Sequence, residues 1–168
     1  ALASEQVRAH TITIDGRIEE WRALRLNETA LAVYSDTTFT DKKDHHSDLS
    51  ACFQSFADSS NVYVAVMVND DLLCYGTEHF GWGWNDDAVE ICFDGDLRDT
   101  GKPYFDANDG QIVFVPFGPG KLRLEGITPG FYIAQIPFYW EMRGVTAAWA
   151  KTATGYAVEA KLPFDLLG

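Results

Sequence analysis

Apolar residues in this chain fall in short runs that alternate with polar ones at every second position, and turn residues separate the runs. Successive side chains on a strand point to opposite faces, so this alternation predicts half-buried strands. The clearest run is Val62-Tyr63-Val64-Ala65-Val66-Met67-Val68, rich in β-branched residues, with its valines on one face. Further strands are expected over Thr11–Ile14, Leu31–Tyr34, Leu49–Phe56, Ala88–Phe93, Gln111–Pro116, Leu122–Leu124, Phe131–Ile136, Val145–Lys151 and Tyr156–Leu162. Asp15-Gly16, Asn69-Asp70-Asp71, Asp94-Gly95, Asp109-Gly110, Gly118-Pro119-Gly120, Pro129-Gly130 and Thr154-Gly155 supply the turns. No segment sustains a 3.6-residue apolar period. One or two helical turns are expected in Glu19–Leu26 and another in Pro163–Leu167, with proline near its first turn. The pattern predicts an all-β chain: one antiparallel β-sandwich, jelly-roll or immunoglobulin-like, with little helix, over residues 1–168. Val62, Val64, Val66, Val68, Val89, Ile91, Phe93, Val158 and Leu162 are its expected core.

Composition agrees with one globular domain. The chain has 168 residues, of which 46% are hydrophobic and 23% charged, enough to bury a core without staples. The formal charge of -12 argues against nucleic-acid backbones and anionic membranes, and suits neutral ligands or cations. No apolar run approaches the ~20 residues of a membrane span. The opening Ala1-Leu2-Ala3-Ser4 has the small residues found around a signal-peptidase cut, which also arise by chance. Cys52, Cys74 and Cys92 form no C-x-x-C pair, against a zinc ribbon or covalent haem, and their odd number leaves a thiol unpaired within the chain. Cys52 and Cys92 lie in apolar runs and are expected to be small buried residues.

The densest chemistry lies in Trp82-Gly83-Trp84-Asn85-Asp86-Asp87-Ala88-Val89-Glu90-Ile91-Cys92-Phe93-Asp94. Val89, Ile91 and Phe93 share one face; Ala88, Glu90 and Cys92 share the other. A flat tryptophan beside a carboxylate acceptor suits a sugar, which has apolar C–H faces and a hydroxyl rim. The plainer alternative is a core tryptophan and a solvated glutamate. The acidic loops offer hard oxygen donors, and a structural calcium is expected among Asp70, Asp71, Asp94, Asp96, Asp106, Asn108 and Asp109. Asp106-Ala107-Asn108-Asp109-Gly110 is no EF-hand, because its glycine comes one residue early and no glutamate closes the loop. His45-His46 is a poor chelate, since neighbours on a strand diverge, and His79 stands alone. H-E-x-x-H, G-x-S-x-G and P-loop motifs are missing, and no carboxylate pair is singled out for glycosidase work. The reading is therefore not an enzyme. Trp21, Trp140 and Trp149 have apolar neighbours and are expected in the core.

Four stretches in order carry a resemblance. Ile14-Asp15-Gly16 with Glu20-Trp21 is followed by Asn61-Val62-Tyr63-Val64-Ala65-Val66 with Asn69-Asp70-Asp71. Trp84-Asn85-Asp86-Asp87-Ala88-Val89-Glu90-Ile91 comes next, and Gly155-Tyr156-Ala157-Val158-Glu159-Ala160-Lys161-Leu162-Pro163 closes the series. Together they resemble family 9 carbohydrate-binding modules, related to DOMON-type domains. The resemblance implies a secreted or cell-surface β-sandwich that binds oligo- or polysaccharides without catalysis, as an accessory to polysaccharide-active proteins, with structural calcium. It places Trp84 at the first stacking tryptophan, Glu90 at a hydrogen-bonding carboxylate and Gln111 on the strand with further polar ligands. Where a family member has an arginine two residues beyond this glutamine, this chain has Val113. The family's second stacking tryptophan lies in C-terminal strands, whereas this sequence stops at Gly168; Trp82 or Trp140 is the expected substitute. A sheet edge left open there would accept a strand from another chain. Two rival readings keep the fold: an assembly module of an extracellular layer with the sugar site lost, and a DOMON-like haem domain using Met67 or a histidine, although Met67 inside a strand is more simply core.

Overall fold

The computed structural model describes residues 12–31, 49–74, 86–96, 105–117, 121–128, 132–133 and 139–167. The strands among them are β1 (Thr29–Ala30), β2 (Ser50–Ala57), β3 (Asn61–Asn69), β4 (Val89–Asp94), β5 (Asp109–Pro116), β6 (Leu122–Thr128), β7 (Tyr132–Ile133), β8 (Thr146–Lys151) and β9 (Gly155–Pro163). Three helical turns punctuate them: α1 (Glu19–Ala23), α2 (Tyr139–Met142) and α3 (Phe164–Leu167). Every strand pairs antiparallel, in a five-stranded sheet ordered β1-β2-β3-β9-β8 and a four-stranded sheet ordered β4-β5-β6-β7.

The valine run forms the centre of the first sheet. β3 pairs with β2 from Ser50↔Asn69 to Ala57↔Val62, and with β9 from Asn61↔Pro163 to Asn69↔Gly155. The β2–β3 turn is set by Asp58, whose carboxylate accepts the N–H groups of Ser60 and Asn61 at 2.7 Å each and the Tyr63 hydroxyl at 2.9 Å. Those donors hold the Asp58 carboxyl below its ordinary range.

The core lies between the sheets. Val66, Val68, Tyr156, Val158, Ala160, Leu162 and Trp149 from one sheet cluster with Val89, Ile112 and Phe114 from the other, and Trp140, Val145 and Leu166 belong to the same cluster. The expected core residues Val62, Val64, Ile91 and Phe93 are only partly buried, packed against this cluster. All four sit on β3 and β4, and Val62, Val64 and Ile91 line a cavity of about 710 Å3 that opens between the sheets and is also lined by Ala51, Phe53 and Tyr156.

A third layer covers the outer face of the five-stranded sheet. Trp21 is fully buried, edge-on to Phe56 at 5.3 Å, and Phe56 stacks on Tyr63 at 4.6 Å. Glu159, also fully buried, holds this layer down. Its carboxylate accepts Trp21 Nε1–H at 2.5 Å, Gly16 N–H at 2.6 Å and Asp15 N–H at 3.0 Å. Burial pushes the Glu159 carboxyl up, against the pull of those donors. Gly16 has φ +84°, and a Cβ there would strike the Trp149 backbone. The strand expected over Thr11–Ile14 is not formed at residues 12–14, and Thr11 lies outside the described residues. The N–H groups next to it go to side-chain carboxylates, Thr13 to Glu20 and Asp15 to Glu159, rather than to a strand partner.

Other differences are local. β1 begins at Thr29, ahead of the expected Leu31–Tyr34. β6 extends four residues past Leu124 to Thr128, and α2 was not anticipated. Of the expected Phe131–Ile136 strand, Tyr132–Ile133 is described.

Candidate functional site

The outer face of the four-stranded sheet carries the polar groups singled out above. Ile112 and Phe114 point into the core, so Gln111, Val113 and Val115 point away from it. Register sets Glu90 on β4 beside Val113 on β5 and Glu125 on β6, in one row; the adjacent row is Cys92, Gln111 and Ile127. Glu90 and Gln111 are diagonal neighbours and meet. Gln111 Nε2–H donates to Glu90 Oε2 at 2.6 Å, at an exposed position. The pair thus presents a carboxylate acceptor and an amide side by side. The β6 backbone fits closely here, because Gly126 has φ +134° and a Cβ would strike the Gln111 carbonyl.

Val113 and Val115 are fully buried although they face outward, so β5 is covered on both sides. Beside them lies a charged group that the sequence reading missed. Arg123 Nε is 2.6 Å from Glu125 Oε1, without the alignment of a hydrogen bond, and Arg123 Nη2 is 3.8 Å from Asp86 Oδ2. The only sequence signal was alternation on β6, which puts Arg123 and Glu125 on one face.

Just before β4, Asp87 and Cys74 bond reciprocally. Asp87 N–H donates to the Cys74 carbonyl at 2.9 Å, and Cys74 N–H donates to the Asp87 carboxylate. Burial pushes the Asp87 carboxyl up; Cys74 N–H opposes this, while Asp70 and Asp86 add to it. Burial likewise raises the Tyr156 hydroxyl, with smaller contributions from Asp87 and Asp70.

Trp82 and Trp84 lie outside the described residues, as do His45, His46 and His79. Trp140 is fully buried in the core, so it offers no ring face to a ligand and is not the substitute stacking residue. Trp21, Trp140 and Trp149 are thus all buried, as their apolar neighbours led one to expect. Cys92, expected buried, is exposed because it shares the outward face with Glu90; Cys52 is half-buried and Cys74 exposed, all three as free thiols. Met67 sits in the sheet between Cys52 and Ala157.

The calcium donors divide. Asp70 and Asp71 follow β3, where Asp70 N–H meets the Thr154 carbonyl at 2.9 Å. Asp94, Asp96, Asp106, Asn108 and Asp109 gather at the far end of the β4–β5 hairpin, about 17 Å along β4 by its six residues. There Asp94 caps Asp96 N–H at 3.1 Å, Asp106 caps Asn108 N–H at 2.9 Å, Asp109 caps Asp106 N–H at 2.7 Å, and Asn108 Nδ2 donates to Asp96 at 3.0 Å. Among the described residues no three His, Cys, Asp or Glu side chains converge on one metal position. None of their helices is long and apolar enough to cross a membrane.

Known proteins share this architecture. A carbohydrate binding module family 9 from Caldicellulosiruptor kristjanssonii, in complex with cellotriose, matches 91% of this chain at 19% identity with a TM-score of 0.61. The same kind of module from that organism in complex with glucose matches 91% of the chain at 19% identity and 0.59. A Bacteroides uniformis structure matches 94% at 13% identity and 0.57, over 70% of its own length. This chain spans 63% and 64% of the length of the first two, less than two thirds. No curated protein matches it. The family model described as carbohydrate family 9 binding domain-like matches residues 14–167, from the isoleucine that opens the buried Glu159 latch to the leucine that ends α3, and the chain belongs to that family.

Proposed function

We propose that this domain binds neutral saccharides without catalysis, on the outer face of the β4–β5 hairpin. The observation that carries the reading is the exposed Gln111–Glu90 pair, in a chain of a carbohydrate-binding family. Neighbouring hydroxyls of a pyranose each offer a donor and an acceptor, so two of them can replace that bond and satisfy both side chains. The exchange costs little because the pair already faces water, and a charged acceptor makes hydrogen bonds of about 1.5–3 kcal/mol. Trp84, six residues before Glu90, supplies the stacking surface, with Trp82 as the second aromatic. The charge of -12 disfavours anionic polysaccharides. Secretion, or display at a cell surface beside polysaccharide-active domains, belongs to the same reading. Calcium is proposed as a structural ion at the far end of the β4–β5 hairpin, drawing on Asn108 and backbone carbonyl oxygens as well as the turn carboxylates.

Titration calorimetry with cellotriose and glucose tests the site. Wild type should bind in the micromolar to millimolar range expected of so small a contact. Trp84→Ala should weaken binding by about 1.5–3 kcal/mol with unfolding unchanged. Glu90→Ala and Gln111→Ala should weaken it by about 1–2 kcal/mol each. Substantial loss of stability in Trp84→Ala with sugar binding intact would return Trp84 to the core.

A further inference from the structure

Asp86 and Arg123 belong to parts of the sheet that are not neighbours. Asp86 precedes β4, Arg123 lies on β6, and β5 runs between them. Their 3.8 Å contact therefore crosses the outer face of β5, on the side of Val115, the residue opposite Arg123 in register. The three charged side chains are withdrawn from water to different degrees: Asp86 keeps 5% of its exposure, Glu125 11% and Arg123 35%. Charges so placed cost free energy unless they are paired, and removing one partner leaves another exposed to that cost. The arginine is suited to the task. Its delocalised guanidinium charge lies between two carboxylates, 2.6 Å from Glu125 at Nε and 3.8 Å from Asp86 at Nη2, a spread that the single ammonium of a lysine does not reproduce.

The consequence follows from chain order. Cys74 and Asp87 bond to each other in both directions, and Asp86, next to Asp87, is tied to β6. Cys74 is thus held to Asp87, and Asp86 to β6; Trp82 and Trp84 fall between Cys74 and Asp86 in sequence and lie outside the described residues. Four residues after Asp86 comes Glu90.

We propose that Arg123, oriented by Glu125, is a positioning residue for the saccharide site: it fixes Asp86, and so sets how the chain approaches β4 and Glu90, without itself contacting the ligand. The proposal rests on reading this face as the saccharide site. It separates residues that bind from residues that hold the binders in place, and predicts an energetic link between β6 and the tryptophans before β4.

The test uses the full chain as wild type, Arg123→Ala, Arg123→Lys and Asp86→Asn, with two readouts. Amide exchange at Cys74 and Asp87 should accelerate about fivefold in Arg123→Ala and Asp86→Asn, while amides of the β3–β9 pair keep wild-type rates. Cellotriose affinity should fall about fivefold in the same variants, with Arg123→Lys intermediate. In combination with Trp84→Ala the loss should be less than the sum of the two. Unchanged exchange at Cys74 and Asp87 overturns the anchoring. Exchange that accelerates equally in β3–β9 makes the arginine a general structural residue and overturns the positioning role. A wild type that binds cellotriose with affinity equal to Arg123→Ala overturns the link to the site alone. A wild type that binds no cellotriose contradicts the reading of the face itself, while the exchange rates still show whether Arg123 anchors Asp86.

Discussion

Glu159 shows how one side chain organises a surface that alternation alone assigns to solvent. Ala157, Glu159 and Lys161 take the outward positions of β9, and by period two a glutamate there is an ordinary exposed residue. It is instead fully buried, because the N-terminal segment lies over that face and brings two backbone N–H groups and an indole N–H to the carboxylate. The substitution Glu159→Gln keeps the shape but turns an NH2 toward one of those donors, so it should destabilise the fold by about 1–3 kcal/mol near neutral pH. The pH dependence has a definite sign. Burial raises the carboxyl in the fold above its ordinary value of 4.5, so between the unfolded and the folded values the folded chain holds a proton that the unfolded chain has released. This group's contribution is therefore full below the unfolded pKa and falls as pH rises through the raised folded value. Glutamine does not titrate. Urea unfolding of both proteins across the pH range from the ordinary carboxylate value upward should show the stability gap narrowing as pH rises. A gap that widens instead would mean that the three donors dominate over burial.

At the scale of elements, strands whose signal is local were legible and contacts between distant segments were not. The valine run, the Gln111–Pro116 strand and the Tyr156–Leu162 strand lie where alternation and turn residues put them, because each is specified by its own side chains and its own turns. The Thr11–Ile14 alternation misled, since its neighbouring N–H groups are claimed by carboxylates far away in sequence or a helical turn later. Within the site, Glu90 and Gln111 were legible as polar residues on facing strands, and the register brings them into contact. Trp140 was legible as a core residue from its apolar neighbours, and that burial is what removes it as a substitute stacking residue. The Arg123–Glu125–Asp86 group was not legible, since no local pattern pairs β6 with a residue beyond β5. The seven candidate calcium donors look alike in sequence, but the hairpin separates two of them from the other five. If calcium binds only the native form at this hairpin end, a hundredfold excess over Kd should stabilise the fold by roughly 3 kcal/mol. Thermal melts with added calcium and with chelator measure this, and superimposable melts would remove calcium from the account.

At the scale of the whole molecule, two surfaces among the described residues bear on the proposed saccharide binding. One is the polar outer face with Glu90 and Gln111; the other is the cavity between the sheets, whose longest wall is Val62, Val64, Val66 and Val68. Glu90 and Cys92 also line that cavity, since β4 is the end strand of its sheet among the described residues. The cavity carries Ser50, Ser55, Asp86, Asp87 and Tyr156 on its lining too, but most of its wall is aliphatic, whereas the outer face sets a carboxylate and an amide side by side in the open. The outer face, in a strongly acidic chain of a carbohydrate-binding family, is therefore where the account puts a neutral saccharide. The most direct test is a nuclear magnetic resonance titration of the 15N-labelled protein with cellotriose. The Gln111 side-chain amide and the backbone amides of Glu90 to Cys92 should shift first and most, with those of Val62 to Val68 following little. Saturable shifts concentrated on Val62 to Val68 with the Gln111 amide unmoved, or no shifts anywhere at millimolar cellotriose, would contradict it.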